Sequence, residues 1–101
     1  MIVSEAELIA SITRDHAAGK RIGFVRASFD LLRVDLVRTL QVAAAKADRL
    51  VVALIDSGGS PVISARDRAE LVDGLRGVDY VVICADAQVD RLFAILAPDV
   101  T

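Results

Sequence analysis

Three short apolar runs, spaced along the chain between segments of helical period, constrain the fold more than any other feature. Ile22, Phe24 and Val25 lie in the first, residues 50–55 form the second, and residues 80–84 form the third. The second is continuous and rich in β-branched residues, the pattern of a strand covered on both faces. Helical and strand periods that alternate in this way mark βαβ units and a parallel sheet. The expectation is an α/β chain with a Rossmann-like open parallel sheet and flanking helices.

The leading helix is expected over residues 5–20, with its break at Gly19 and a face made of Ala6, Ile9, Ile12 and Thr13. Residues 21–26 form the first strand. The next helix runs over 35–47, with Leu36, Leu40 and Ala43 at near four-residue spacing and small residues at 43–45 that let it lie close to the sheet. After the second strand, Gly58, Gly59 and Pro61 break both periods across a loop at 56–64. Ser64 and Asp67 form a Ser-x-x-Asp start signal for a helix carrying Ala69, Leu71, Val72 and Leu75 and ending near Gly77. A third strand over 79–84 and a last helix over 89–97 follow. Pro98 ends that helix and leaves residues 99–101 as the beginning of a further strand.

The 101 residues hold one domain, 1–101, and a chain of this size buries around two-thirds of its unfolded surface. A hydrophobic content of 54% and a mean hydropathy of +0.52 are high for so small a chain, so part of the surface is expected to meet a partner. The net charge of −2 supplies no basic stripe for a nucleic-acid backbone. No apolar run approaches the roughly 20 residues that span a bilayer. No secretory signal is visible, and a cytoplasmic location is the default expectation. Cys84 is the sole cysteine, so no internal disulfide forms, and one His and one Cys cannot make a tetrahedral metal site. Dinucleotide and P-loop glycine fingerprints are absent.

Residues 23–40, GFVRASFDLLRVDLVRTL, have the outline of a nucleotide-binding strand, turn and helix. The stretch resembles the NGxFDxxHxGHxxxL signature of the cytidylyltransferase-like nucleotidyltransferases, with Phe29, Asp30, Leu32 and Leu40 matching. Arg26 and Ala27 stand where that family has Asn and Gly, Arg33 and Leu36 replace its two histidines, and Asp35 replaces the intervening glycine. The similarity extends through residues 5–20, 47–54, 66–82 and the LFAILAPDV segment near the end, and is greatest to the sugar-phosphate nucleotidyltransferase domain of bacterial ADP-heptose synthases. The family fold continues with another strand and a Ser/Thr-rich nucleotide-contacting motif, so the resemblance implies a C-terminally short nucleotidyltransferase-like α/β fold.

The family reaction is attack of a phosphate or alcohol on a nucleotide α-phosphorus with release of pyrophosphate. The resemblance places Ala27, Ser28, Phe29, Asp30 and Arg33 as nucleotide-binding candidates. It assigns no catalytic residue, because the histidines that stabilise the transferring group are absent and the second loop lacks the family lysine. Phe29 has an alternative role as core filler, and Asp30 as a cap on backbone N–H groups. Arg33 fits either a phosphate or a pairing with Asp35 or Asp30. Asp35 at a helix start caps the N–H groups that would otherwise receive phosphate. Ser28 has no neighbouring base, His16 belongs to the leading helix, and paired glycines at 58–59 serve flexibility as readily as anion binding.

Two outcomes follow from the resemblance. One is a degenerate domain that acts as an interaction or weak nucleotide- or phosphate-binding module and needs no cofactor. The other is an active enzyme using Mg with CTP or ATP on a sugar phosphate or polyol phosphate. The partner expected is a second copy, as a homodimer, or another protein domain. Related proteins place the dimer contact on the block that here contains Arg68, Leu75, Arg76, Val78 and Tyr80; the alternative is that Leu71, Leu75, Val78 and Val81 form an ordinary helix face and buried strand.

Overall fold

The computed structural model of the chain describes residues 1–27, 34–55 and 65–99. Its elements follow one another as α1 (Glu5–Ala17), β1 (Ile22–Ala27), α2 (Val34–Ala45), β2 (Arg49–Ile55), α3 (Ala65–Asp73), β3 (Tyr80–Cys84) and α4 (Asp86–Leu96). The three strands form a parallel sheet in the order β1-β2-β3, with Ile22 opposite Arg49 and Val51 opposite Tyr80. The N-terminal residues add one bridge on the far edge, between Ile2 and Val81.

Side chains alternate across the sheet and divide the core in two. Ile22, Phe24, Val51, Ala53 and Val82 pack with Leu8 and Ile12 of α1 and Val89, Leu92 and Leu96 of α4. Leu50, Val52, Leu54 and Val81 pack on the other face with Leu40 of α2 and Ala69 and Val72 of α3. Both faces of β2 are therefore buried, which is why its sequence does not alternate. Each large aliphatic side chain removed from water contributes about 1.5–3 kcal/mol. Gly23 lies under α2, where an added Cβ would stand 3.1 Å from the Ala47 Cβ and 3.2 Å from Leu50 Cδ1.

Three elements differ from the sequence expectation. The buried stripe of α1 is Leu8, Ile12 and Asp15, while Ala6 and Thr13 are exposed. Thr13 turns its hydroxyl back to the Ile9 carbonyl at 2.8 Å. Ser4, not an apolar residue, sets where α1 begins: its Oγ accepts the Glu7 N–H and Glu7 Oε1 accepts the Ser4 N–H. Helix α3 stops at Asp73 rather than near Gly77, because bonds from Gly74 N to Glu70 O and Leu75 N to Val72 O close a turn that leads to Gly77 at φ +91°. Helix α4 begins at Asp86, three residues ahead of the apolar stripe at Val89. There Gln88 Oε1 accepts the Ala85 N–H at 2.9 Å, so a polar side chain extends the helix beyond its apolar face. Asp67 and α3 agree with the expected helix, and Ser64 lies outside the described residues.

One device opens β2 and β3. Ahead of β2, Asp48 N–H donates to Arg21 O and Asp48 Oδ2 accepts the Arg21 N–H, both at 2.8 Å. Ahead of β3, Asp79 N–H donates to Leu50 O at 3.0 Å and its Oδ2 accepts the Leu50 N–H at 2.8 Å. The same clamp recurs after α4. Asp99 N–H donates to Ile22 O and Asp99 Oδ2 accepts the Ile22 N–H, both at 2.8 Å, with His16 Nε2 3.2 Å away.

The Ile22 N–H is the main reason the Asp99 carboxyl lies below its ordinary value of 3.8; burial opposes the shift, and His16 and then Arg21 add to it. A folded value below the unfolded one stabilises the fold above the ordinary value and loses that contribution as pH falls through the folded value. Asp99→Asn is therefore expected to flatten the loss of stability below pH 3.8, read from urea midpoints measured across that range. An acid limb unchanged by the substitution would contradict the clamp.

Candidate functional site at the carboxyl end of the sheet

In an open parallel sheet the loops that follow the strands share one pole, and ligands bind there. The pole of this chain is defined by Ala27, Ile55 and Cys84, the last residues of β1, β2 and β3. Ala27 pairs with Leu54, and Ile55 with Cys84, so the connections after β1 and β2 leave the sheet side by side. Helix α2 begins at Val34, directly after the first connection, which brings a helix N-terminus to the same pole. Such a terminus offers unpaired N–H groups and a positive dipole end to an anion. Asp35 is its second residue.

Of the nucleotide-binding candidates, Ala27 ends β1 at this pole, while Ser28, Phe29, Asp30 and Arg33 lie outside the described residues, as do Gly58 and Gly59. Cys84 is buried at the end of β3. His16 belongs to the opposite pole, where it meets Asp99 beside the first residue of β1. Asp15, the one buried charged group among the described residues, is also there: it accepts the Tyr80 hydroxyl at 3.0 Å, with Arg49 Nε 3.7 Å away.

The residues expected at a dimer contact are divided between the core and the surface. Leu75 and Val78 pack half-buried against the α2/α3 core, and Tyr80 packs against the other. Arg76 is exposed, and Arg68 stands on α3 with its side chain outside the described ones. Leu71 is 48% exposed, in contrast to Val72 beside it at 0%.

A second concavity, of about 490 Å³, runs along the flank of β1 rather than across its end. Phe24 and Arg26 form its floor, Val42 and Ala43 of α2 with Lys46 just after that helix one wall, and Phe93 of α4 the other. The rings of Phe24 and Phe93 meet edge to face at 5.5 Å. Arg26 lies 5.3 Å over the Phe93 ring and donates to Asp90 Oδ1 at 2.6 Å. No single stretch of sequence marks this groove, because its residues come from β1, α2 and the residue after it, and α4. The available signal was the order of the strands, which leaves β1 at an edge.

Among the described residues no three His, Cys, Asp or Glu side chains gather as a metal-holding group, and no helix is long and apolar enough to cross a membrane. No protein-family model matches the chain. It aligns with the bifunctional protein HldE of Azotobacter vinelandii at 33% identity over 102 residues, 93% of this chain and 22% of that protein. With HldE of Hydrogenovibrio crunogenus the identity is 35% over 106 residues, 97% of this chain and 22% of the relative. The chain is a homologue of one segment of HldE.

That HldE segment is the nucleotidyltransferase-like one, as the signature around Phe29, Asp30 and Leu40 implies. A crystal structure of a lipopolysaccharide core biosynthesis protein from Thermoplasma volcanium superposes with a TM-score of 0.71, covering 80% of this chain and 71% of that one at 21% identity. The likeness establishes the α/β fold, an open parallel sheet with flanking helices. The chain spans 22% of the length of each of the two HldE proteins.

Proposed function

We propose that this chain is a catalytically degenerate nucleotidyltransferase-like domain that acts as an interaction module or a weak binder of nucleotide or phosphate. The observation that carries the reading is the position of Asp35, second residue of α2 at the ligand pole, where the resembling family has glycine. A carboxylate in the first turn competes with phosphate for the same N–H groups. Two like charges about 5 Å apart in a partly solvated cleft repel by roughly 1–3 kcal/mol. Arg33 and Leu36 stand in place of the two histidines, and residues 56–64 contain no lysine. Loss of one preorganised donor to a reacting phosphorus costs about 3–4 kcal/mol, a hundredfold or more in rate.

Titration calorimetry with CTP and with ATP, each with Mg, is expected to give binding no tighter than about millimolar, with pyrophosphate release at background. Turnover at ordinary enzyme concentration would overturn the proposal. The active alternative rests on Arg33, whose forked guanidinium suits phosphate oxygens. In that case Arg33→Ala abolishes pyrophosphate release, and an unchanged rate rejects it.

The excess of apolar residues and the exposed Leu71 support a protein partner, either a homodimer through the α3 to β3 block or another domain. A cytoplasmic setting is consistent with both.

A further inference from the structure

The carboxyl end of β1 carries a cation whose donors are only partly used. Arg26 is the penultimate residue of that strand, opposite Ala53 of β2 and one step before the pair of Ala27 with Leu54. It stands where the resembling family has a neutral Asn. Its side chain leaves the sheet on the face of Phe24, because alternate residues of a strand share a side, and there it meets α4. The guanidinium lies 5.3 Å over the Phe93 ring, which Phe24 holds edge to face, and Nη1 donates to Asp90 Oδ1 at 2.6 Å. Nε and Nη2 have no partner among the described residues.

We infer that Arg26 is a phosphate contact of this pole, with Asp90 as the internal carboxylate that the phosphate displaces. The inference rests on the reading of the pole as a weak phosphate or nucleotide site. A guanidinium presents five N–H donors in a fixed fork, and two of them match two oxygens of one phosphate. The ion pair that engages Arg26 is open to water, with 41% of its side chain and 81% of the Asp90 side chain exposed. Such a pair adds little stability, so exchanging the carboxylate for a phosphate dianion costs little. The Phe93 ring keeps the cation at the end of β1 whichever anion it pairs with.

The ordinary alternative is a surface latch between β1 and α4. Packing of those elements does not need the charge, because Phe24, Val89 and Leu92 already join them through the core. The other cations near the pole are engaged elsewhere: Arg66 of α3 faces Glu70, and Arg91 of α4 donates to Glu5. The two faces of the sheet also divide the ligand. Helix α2 packs on the Leu50 face and Arg26 stands on the Phe24 face. A single phosphate group therefore reaches Arg26 on the face away from α2, whereas a triphosphate laid across the end of β1 also approaches the first turn of α2, to which Asp35 belongs.

The test follows the Ala27 amide and the Arg26 Nε–H by NMR while the chain is titrated with inorganic phosphate, and separately with CTP, at constant ionic strength. Arg26→Gln is expected to weaken phosphate binding by about fivefold or more, and Asp90→Asn to tighten it by about threefold. Lys20→Gln removes the same charge from an exposed position at the opposite end of the sheet, and is expected to leave affinity within about twofold. Equal weakening by Arg26→Gln and Lys20→Gln would reduce the effect to net charge and overturn the inference. So would an Asp90→Asn affinity no better than that of the parent, binding of phosphate by neither, or dependence on Arg26 with CTP but not with phosphate. Pyrophosphate release from CTP by the parent chain would instead remove the degenerate reading, and these titrations would still decide the Arg26 contact.

Discussion

Replacing Arg33 and Leu36 by histidine and Asp35 by glycine is expected to tighten binding of CTP or ATP by about tenfold and to raise pyrophosphate release above background. The affinity gain comes from Asp35→Gly. Removing a carboxylate from the first turn of α2 returns its N–H groups to the ligand and relieves roughly 1–3 kcal/mol of repulsion, and tenfold corresponds to about 1.4 kcal/mol. The histidines act on the reacting phosphorus and should show in rate more than in affinity. Asp35→Gly alone separates the two effects, since it should improve calorimetric affinity without restoring turnover. A triple variant that binds no better than the parent would remove the alignment of 33–36 with the family signature, and the proposed function with it.

The sequence made the sheet legible because its strands are buried on both faces or nearly so. Residues 50–55 read as a strand with no alternation, and β2 indeed has Leu50, Val52 and Leu54 on one core and Val51 and Ala53 on the other. Helix boundaries were less visible where polar side chains set them. Ser4 and Gln88 cap main-chain groups at the starts of α1 and α4, and an apolar count gives no weight to either. The α1 stripe was displaced for a related reason: Asp15 is a buried position although its side chain is charged, because Tyr80 and Arg49 satisfy it. At the site, the family signature located the β1–α2 junction, while the groove beside β1 depended on strand order and on where α2 and α4 approach β1. Neither is a property of any one segment.

Gly77→Ala is expected to destabilise the fold by about 2–4 kcal/mol, and Gly19→Ala by only about 1. The two glycines have nearly the same backbone conformation, φ +91° and +82°. Any residue with a Cβ pays a conformational penalty of roughly 1–2 kcal/mol in that region. Their surroundings differ. A Cβ on Gly19 meets nothing within 4 Å, whereas one on Gly77 would stand 2.9 Å from the Ala44 Cβ on α2. Relief requires the turn after α3 to move away from α2, and Leu75 and Val78 on either side of Gly77 are packed against the core that contains Leu40. For a domain of this size each kcal/mol lowers Tm by roughly 4–8 °C, so calorimetry distinguishes the variants readily. Equal losses would mean that backbone conformation alone sets the cost and that the turn before β3 is free to shift. A larger loss at Gly77 identifies its contact with Ala44 as the point that holds α2 against the turn leading into β3.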